Sequence, residues 1–292
     1  KLTIYDHTSQ QEIKKRIKDC ELIYINKVNI NKEIITEAKK LKFIGVTATG
    51  VNNVNINSAL KHNIAVCNIR AYCTNSVIEH VFAVILQLTH NIQKYQELVA
   101  QDAWQNTNNF CLLDYPIKEI SSLTLGIIGH GELGKGVEKV AKAFGMKVLI
   151  TSNPNKTKLN KSYLTLTEVL KNSDIISIHC PLNENTNELI GYDEIKLMKS
   201  SAILINTARG HIVDSFALTE ALIKNKIAGA AIDVLKEEPP RYGDPLLKYK
   251  GMNLILTPHI AWASLKARQK AINELALNIK AYLKGTRRNR IV

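Results

Sequence analysis

The sequence lacks a pairable set of cysteines. Five of them, Cys20, Cys67, Cys73, Cys111 and Cys180, are scattered over 292 residues and never form a CxxC pair. That excludes a disulfide framework and a thiolate zinc site. The eight histidines show no HExxH or comparable ligand spacing, so no metal is expected. Long hydrophobic runs are missing too. The longest, Val81 to Leu86, falls far short of the roughly 20 apolar residues of a membrane-spanning helix, and it reads as a buried helix face. The chain opens Lys-Leu-Thr-Ile-Tyr-Asp-His, with no apolar stretch behind a basic start, so no secretory signal is expected and the default address is cytoplasmic. Acidic residues are in the minority, 26 against 39 Lys and Arg, for a formal charge of +13. The lysines are dispersed among Asn and Ile, and the one dense basic stretch, Lys284 to Arg290, reads as a solvated tail. No nucleic-acid partner is expected.

What is present fits a globular protein. Hydrophobic residues make up 45% and charged residues 22% of the chain, and its length suggests two compact units. Short β-branched runs alternate with helical stretches: Leu2 to Tyr5, Gln10 to Lys18, Leu22 to Ile25, Lys32 to Lys40, Phe43 to Val46. This alternation predicts βαβ units around a parallel sheet. A long helix follows, with Val77, Val81, Val84, Leu88, Ile92 and Tyr95 at helical spacing, and Ser76-Val77-Ile78-Glu79 fits a capping box at its start. A second βαβ series begins at Leu123 and runs to about Pro258. The expected organisation is a substrate domain of residues 1–72 and 265–292 and a Rossmann cofactor domain of residues 73–264.

The strand pattern Leu125-Gly126-Ile127-Ile128 runs directly into Gly129-His130-Gly131-Glu132-Leu133-Gly134 and an amphipathic helix ending at Gly145. Glycines in this context serve a tight turn, close approach of backbone to pyrophosphate, and close packing of helix on strand. The pyrophosphate then rests on the helix N-terminus. Gly129, Gly131, Glu132, Leu133 and Gly134 are therefore expected to bind a dinucleotide. The next strand should end in an acid that holds the adenosine ribose. Ser152 and Asn153 stand there instead, with Lys156 and Lys158 close behind. With no carboxylate to repel a 2′-phosphate, the expectation is a cofactor site that accepts NADP as well as NAD.

Three stretches of the last third complete the pattern: Thr207-Ala208-Arg209-Gly210, then Asp233-Val234 leading to Glu237-Glu238-Pro239, then Thr257-Pro258-His259-Ile260-Ala261-Trp262-Ala263-Ser264. Together with the glycine loop they resemble the D-isomer-specific 2-hydroxyacid dehydrogenase family over nearly the whole chain. Val46 to Val54 and Pro258 to Ser264 look most like its glycerate dehydrogenase, or hydroxypyruvate reductase, branch. The resemblance implies a Rossmann cofactor domain plus a flavodoxin-like substrate domain, both doubly wound α/β units, with the site in a cleft between them. It gives Arg209 the substrate carboxylate, His259 the proton transfer to and from the substrate oxygen, and Glu238 the other ring NH of His259. Asp233 matches the family aspartate that accepts the nicotinamide carboxamide NH, with a strand-end cap as the alternative use of such an aspartate. Cys180, Thr207, Ala208, His259 and Ala261 match positions lining the cofactor. The backbone of Thr49 and Gly50 matches the loop that holds the substrate carboxylate, and Tyr72 a residue near the substrate. His130 and His179 are expected to be non-catalytic. A homodimer with an arm formed by the long helix and residues 104–115 is also implied.

Two departures stand out. Arg70-Ala71 occupy a place where the family commonly has Pro-Gly, and the first strand and helix of the substrate domain have no counterpart, which suggests a longer natural protein. Two other functions remain alternatives: a redox-sensing, co-repressor-like protein that binds NAD(H), and a phosphoglycerate dehydrogenase. A pure binding module has no need of Arg209, Glu238 and His259 together.

Overall fold

A computed structural model describes residues 2–151 and 163–292, so Ser152, Asn153, Lys156 and Lys158 lie outside the described residues. The chain divides into two units, one made of Lys1–Cys73 with Ala263–Val292 and the other of Thr74–Trp262.

In the first unit the order is α1 (Gln10–Ile17), β1 (Leu22–Ile25), α2 (Lys32–Glu37), β2 (Phe43–Val46), α3 (Ile56–Lys61) and β3 (Ala65–Cys67). The three strands pair in parallel in that order, with Leu22 beside Phe43 and Phe43 beside Ala65. Asn31 and Asn55 start α2 and α3, each side chain accepting from a backbone NH of the first turn. The whole of β2 is buried, as a strand covered on both faces must be. The helix Leu265–Leu283 packs Ala271 and Leu275 on Ile69 and Tyr72.

Two expectations fail in this unit. Leu2 to Tyr5 form no strand: no neighbour pairs with them, and Leu2 and Ile4 are largely exposed. The basic tail is not a loose solvated segment. Arg288 pairs with Glu274 at 2.9 Å, and Ile291 donates its NH to the carbonyl of Val66 at 2.7 Å. The tail thereby satisfies backbone groups on the edge of β3, which an edge strand otherwise leaves open.

The second unit runs α4 (Thr74–Thr89), α5 (Ile92–Ala100), β4 (Thr124–Ile128), α6 (Glu132–Ala143), β5 (Lys147–Thr151), α7 (Leu166–Asn172), β6 (Ile175–Ile178), α8 (Tyr192–Leu197), β7 (Ile203–Asn206), α9 (Ser215–Ile223), β8 (Gly229–Ile232), α10 (Pro245–Lys248) and β9 (Leu254–Leu256). Its strands pair in parallel in the order β5-β4-β6-β7-β8-β9. The chain thus winds outward one way from β4 through β5, then returns to β6 on the other side of β4 and winds the opposite way. This reversal makes the carboxyl ends of β4 and β6 the natural ligand crevice of an open parallel sheet.

The expected single long helix is broken. Asn91 sits in the left-handed region at φ 52°, and α5 starts anew after it. The capping box at Ser76 is also not formed, because α4 begins two residues earlier, at Thr74. The Ser76 hydroxyl instead donates to the carbonyl of Ala261 at 2.7 Å.

Candidate active site

The glycine loop sits at the sheet reversal, between β4 and α6. Gly129 has φ 95°, and a Cβ there would meet the Cys180 backbone nitrogen at 2.5 Å, so the loop lies directly against the end of β6. At Gly134 a Cβ would meet the Gly129 carbonyl oxygen at 2.1 Å. A Cβ on Gly131 would meet nothing, which leaves open space in front of the first turn of α6. Gly131 caps that helix without a side-chain hydrogen bond, so the first-turn NH groups remain to bind an anion. The two crowded glycines and one open one match the division of labour expected for a dinucleotide loop. Glu132 and Leu133 form the first turn of α6, the Glu132 carboxylate accepting from the Thr74 hydroxyl.

His130 anchors this loop. Its Nε2 lies 2.7 Å from Glu138 Oε2 and its Nδ1 3.0 Å from the Tyr163 hydroxyl. Glu138 is itself held below the usual carboxylate range, first by the Lys142 ammonium and then by His130. Among the described residues three buried side-chain polar atoms have no hydrogen-bond partner: Ser173 Oγ before β6, His179 Nδ1 after it and Thr207 Oγ1 after β7. Burial alone pushes His179 down to about 4 and the Cys180 thiol up to about 11, so at neutral pH both are uncharged.

Arg209 follows β7 in an exposed loop, and among the described residues it has no carboxylate partner. Its guanidinium Nη1 donates only to the carbonyl of Ala208 at 2.6 Å. Asn206, fully buried, fixes the loop by accepting from the Ala208 NH and donating to the Arg209 carbonyl. Gly210 lets the loop press on the next one, since a Cβ there would stand 2.0 Å from the Leu235 carbonyl carbon. The loop it touches carries Glu238.

Glu238 Oε2 lies 2.6 Å from His259 Nδ1, and both side chains are about one quarter exposed, at 29% and 23%. A carboxylate only accepts, so Nδ1 carries the proton and Nε2 is the ring nitrogen with a free lone pair. His259 adopts φ 55°, an unusual conformation for a residue with a Cβ. Asp233, 2% exposed, secures it. Its Oδ1 accepts from the Thr257 hydroxyl at 2.6 Å and the Ile260 NH at 2.8 Å, and its Oδ2 accepts from the Ala261 NH at 3.0 Å.

The structure therefore gathers Arg209, Glu238, Asp233, His259 and Ala261 on neighbouring loops of one unit, and Gly129 with Cys180 at the sheet reversal. Thr49, Gly50 and Tyr72 belong to the other unit. There the Thr49 carbonyl accepts from the side chain of Asn68 at 2.7 Å, a buried support that no sequence signal marked. The Arg70-Ala71 departure takes the form of an alanine at φ 53°. For Asp233 the sequence offered a cofactor contact or a strand-end cap, and the contacts it makes here are of the second kind, although its partners on the Thr257 to Ala261 loop could not be read there.

Residues 82–261 match the family described as D-isomer specific 2-hydroxyacid dehydrogenase, NAD binding domain. The chain is 41% identical over 286 residues to a glycerate dehydrogenase of Methylorubrum extorquens, covering 98% of this chain and 90% of the relative. To a glyoxylate reductase of Thermococcus litoralis it is 38% identical over 264 residues, 88% of this chain and 78% of the relative. Among solved structures, an acyclic imino acid reductase (Bsp5) in complex with NADPH and D-Arg superimposes with a TM-score of 0.86 at 31% identity, covering 99% of this chain and 91% of that one. The chain belongs to the D-isomer-specific 2-hydroxyacid dehydrogenase family: an oxidoreductase with a nicotinamide cofactor, acting on small 2-hydroxy and 2-keto acids.

Proposed function

We propose that this protein interconverts hydroxypyruvate and D-glycerate, and that it accepts NADP(H) as well as NAD(H). The observation that carries the reading is the 2.6 Å bond between Glu238 and His259 Nδ1, with the unpaired Arg209 one loop away. The glycine loop, the uncapped first turn of α6 and the orphaned Thr207 hydroxyl suit the dinucleotide, with Ala208 and Asp233 as further cofactor contacts. When bound, the cofactor supplies or accepts the hydride.

The rest of the chemistry falls to the chain. Arg209 offers a planar pair of NH donors that match a carboxylate and fix the keto acid in one orientation. His259 Nε2 donates a proton to the oxygen that becomes the hydroxyl, and in the reverse direction removes it. Glu238 holds the tautomer throughout and balances the charge of the imidazolium. Thr49, Gly50 and Tyr72 are carried over as substrate contacts on the family resemblance. Ser152 and Asn153 would meet the adenosine ribose, and their lack of negative charge is the ground for accepting a 2′-phosphate. The residues 104–117 support a homodimer reading. Trp104, Phe110, Leu113 and Ile117 are all more than half exposed, and α5 buries no side chain, an apolar surface that monomers rarely leave uncovered.

The test is initial-rate oxidation of NADH and of NADPH with hydroxypyruvate, glyoxylate and pyruvate. Hydroxypyruvate should give the highest kcat/KM, with turnover on both cofactors. A preference for glyoxylate would reassign the substrate, and strict use of NADH would refute the cofactor reading. Cofactor binding without turnover on any keto acid would point to the redox-sensing alternative.

A further inference from the structure

The loop Thr257 to Ala261 holds the imidazole on which the proposed reaction depends, and its central residue is in a conformation that costs free energy. A side chain at positive φ persists only where its surroundings impose it. Asp233 imposes it from beneath, through both carboxylate oxygens and through its carbonyl, which accepts from the His259 NH at 2.8 Å. A second set of contacts comes from α4. Ser76 donates to the carbonyl of Ala261 at 2.7 Å, at one end of the loop. His80 Nε2 lies 3.4 Å from the Thr257 hydroxyl at the other end.

The direction of the His80 contact follows from proton counting. Thr257 has one hydroxyl proton, and the 2.6 Å contact with Asp233 Oδ1 uses it, because a carboxylate cannot donate. Toward His80 the hydroxyl is therefore an acceptor, and His80 carries its proton on Nε2. Ser76 and His80 are four residues apart, which places them one above the other on one face of α4. One helix face thus grips both ends of the five-residue loop, while Asp233 holds Thr257, Ile260 and Ala261 with its carboxylate and His259 with its carbonyl.

We propose that Ser76 and His80 are positioning residues: they hold the Thr257 to Ala261 loop so that His259 keeps its left-handed backbone and its Nδ1 stays on Glu238. This rests on the dehydrogenase reading for its kinetic consequence, but not for its structural one. Neither residue touches the reacting atoms. Each acts through the backbone or side chain of another, and Ser76 is released for the task because α4 begins before it.

The experiment compares the full chain with His80→Leu, His80→Gln and Ser76→Ala. Misplacing a catalytic group by a fraction of an ångström lowers turnover by roughly ten- to a hundredfold. His80→Leu is expected to lower kcat for hydroxypyruvate in that range, with KM and the NADH dissociation constant within about twofold of the wild type. His80→Gln, whose amide can still donate to Thr257, should bring kcat back to within about threefold, and Ser76→Ala should behave like His80→Leu. The second readout is the imidazole NH resonance of His259 in protein labelled with 15N-histidine, assigned by its loss in His259→Ala. It should shift in His80→Leu and return in His80→Gln. An unmoved resonance, a kcat unchanged in His80→Leu, or a loss that tracks NADH binding would overturn the proposal. If the wild type turns over no keto acid, the dehydrogenase reading fails, and the resonance alone then decides the positioning role.

Discussion

At the scale of single residues, the site works by division of hydrogen bonds. His259 has two ring nitrogens, and Glu238 claims one of them at 2.6 Å, so in the proposed reaction the other meets the substrate. Replacing Glu238 with Gln keeps an acceptor but removes the charge that balances the imidazolium. In steady-state assays Glu238→Gln should lower kcat by about a hundredfold with little change in the NADH dissociation constant. Arg209→Lys keeps the charge and loses the planar fork, and its effect should fall on the KM for the keto acid, raised by about tenfold or more. Equal losses on cofactor affinity would contradict both assignments. The chemistry of these residues was legible in the sequence because their types and order are specific. Asp233 was legible as a cofactor contact or as a strand-end cap, but its particular partners, Thr257, Ile260 and Ala261, depend on a loop whose path no periodicity encodes. Ala71 is similar: its residue type argues against the positive φ it adopts.

At the scale of elements, close approach explains why glycines recur. Gly134 brings the first turn of α6 onto the Gly129 carbonyl, and Gly210 brings the Arg209 loop onto the Leu235 backbone. Backbone cannot yield as a side-chain tip can. Gly210→Ala should therefore destabilise the protein by roughly 2 kcal/mol or more in urea denaturation, as overpacking against fixed atoms does, and should reduce turnover in whatever fraction stays folded. Gly131→Ala, which meets no protein atom within 4 Å, should leave the unfolding free energy in urea within about 0.5 kcal/mol of the wild type yet weaken NADH binding. The parallel strands of the second unit were legible from their unbroken apolar runs. The ends of α4 were not: hydrophobic spacing continues through Asn91, and the break there is set by one left-handed residue. The strand expected at Leu2 to Tyr5 failed because a β-branched pattern forms a strand only where a neighbour supplies its hydrogen bonds.

At the scale of the whole molecule, two properties follow from what is buried and what is not. The ring Nδ1 of His179 is buried, and burial lowers the folded pKa of the imidazole to about 4, against 6.5 for a free histidine. Between these values the unfolded chain binds the proton and the folded one does not. Stability is therefore intact above pH 6.5 and falls as pH drops toward 4, by about 3 kcal/mol from this group alone. Urea denaturation of the wild type and His179→Gln at pH 7 and pH 4.5 should show the smaller pH dependence in the variant. The exposed apolar segment at residues 104–117 should hold two copies together. Phe110→Asp with Leu113→Asp should shift the mass measured by sedimentation from dimer to monomer, whereas a wild-type monomer would refute that reading. If His259, held by Glu238, moves the proton of a nicotinamide-dependent reduction, NADH oxidation with hydroxypyruvate must separate the wild type from His259→Ala. The account predicts turnover by the wild type and a loss of about a hundred- to ten-thousandfold in kcat, with NADH still bound. Equal turnover by both would contradict it.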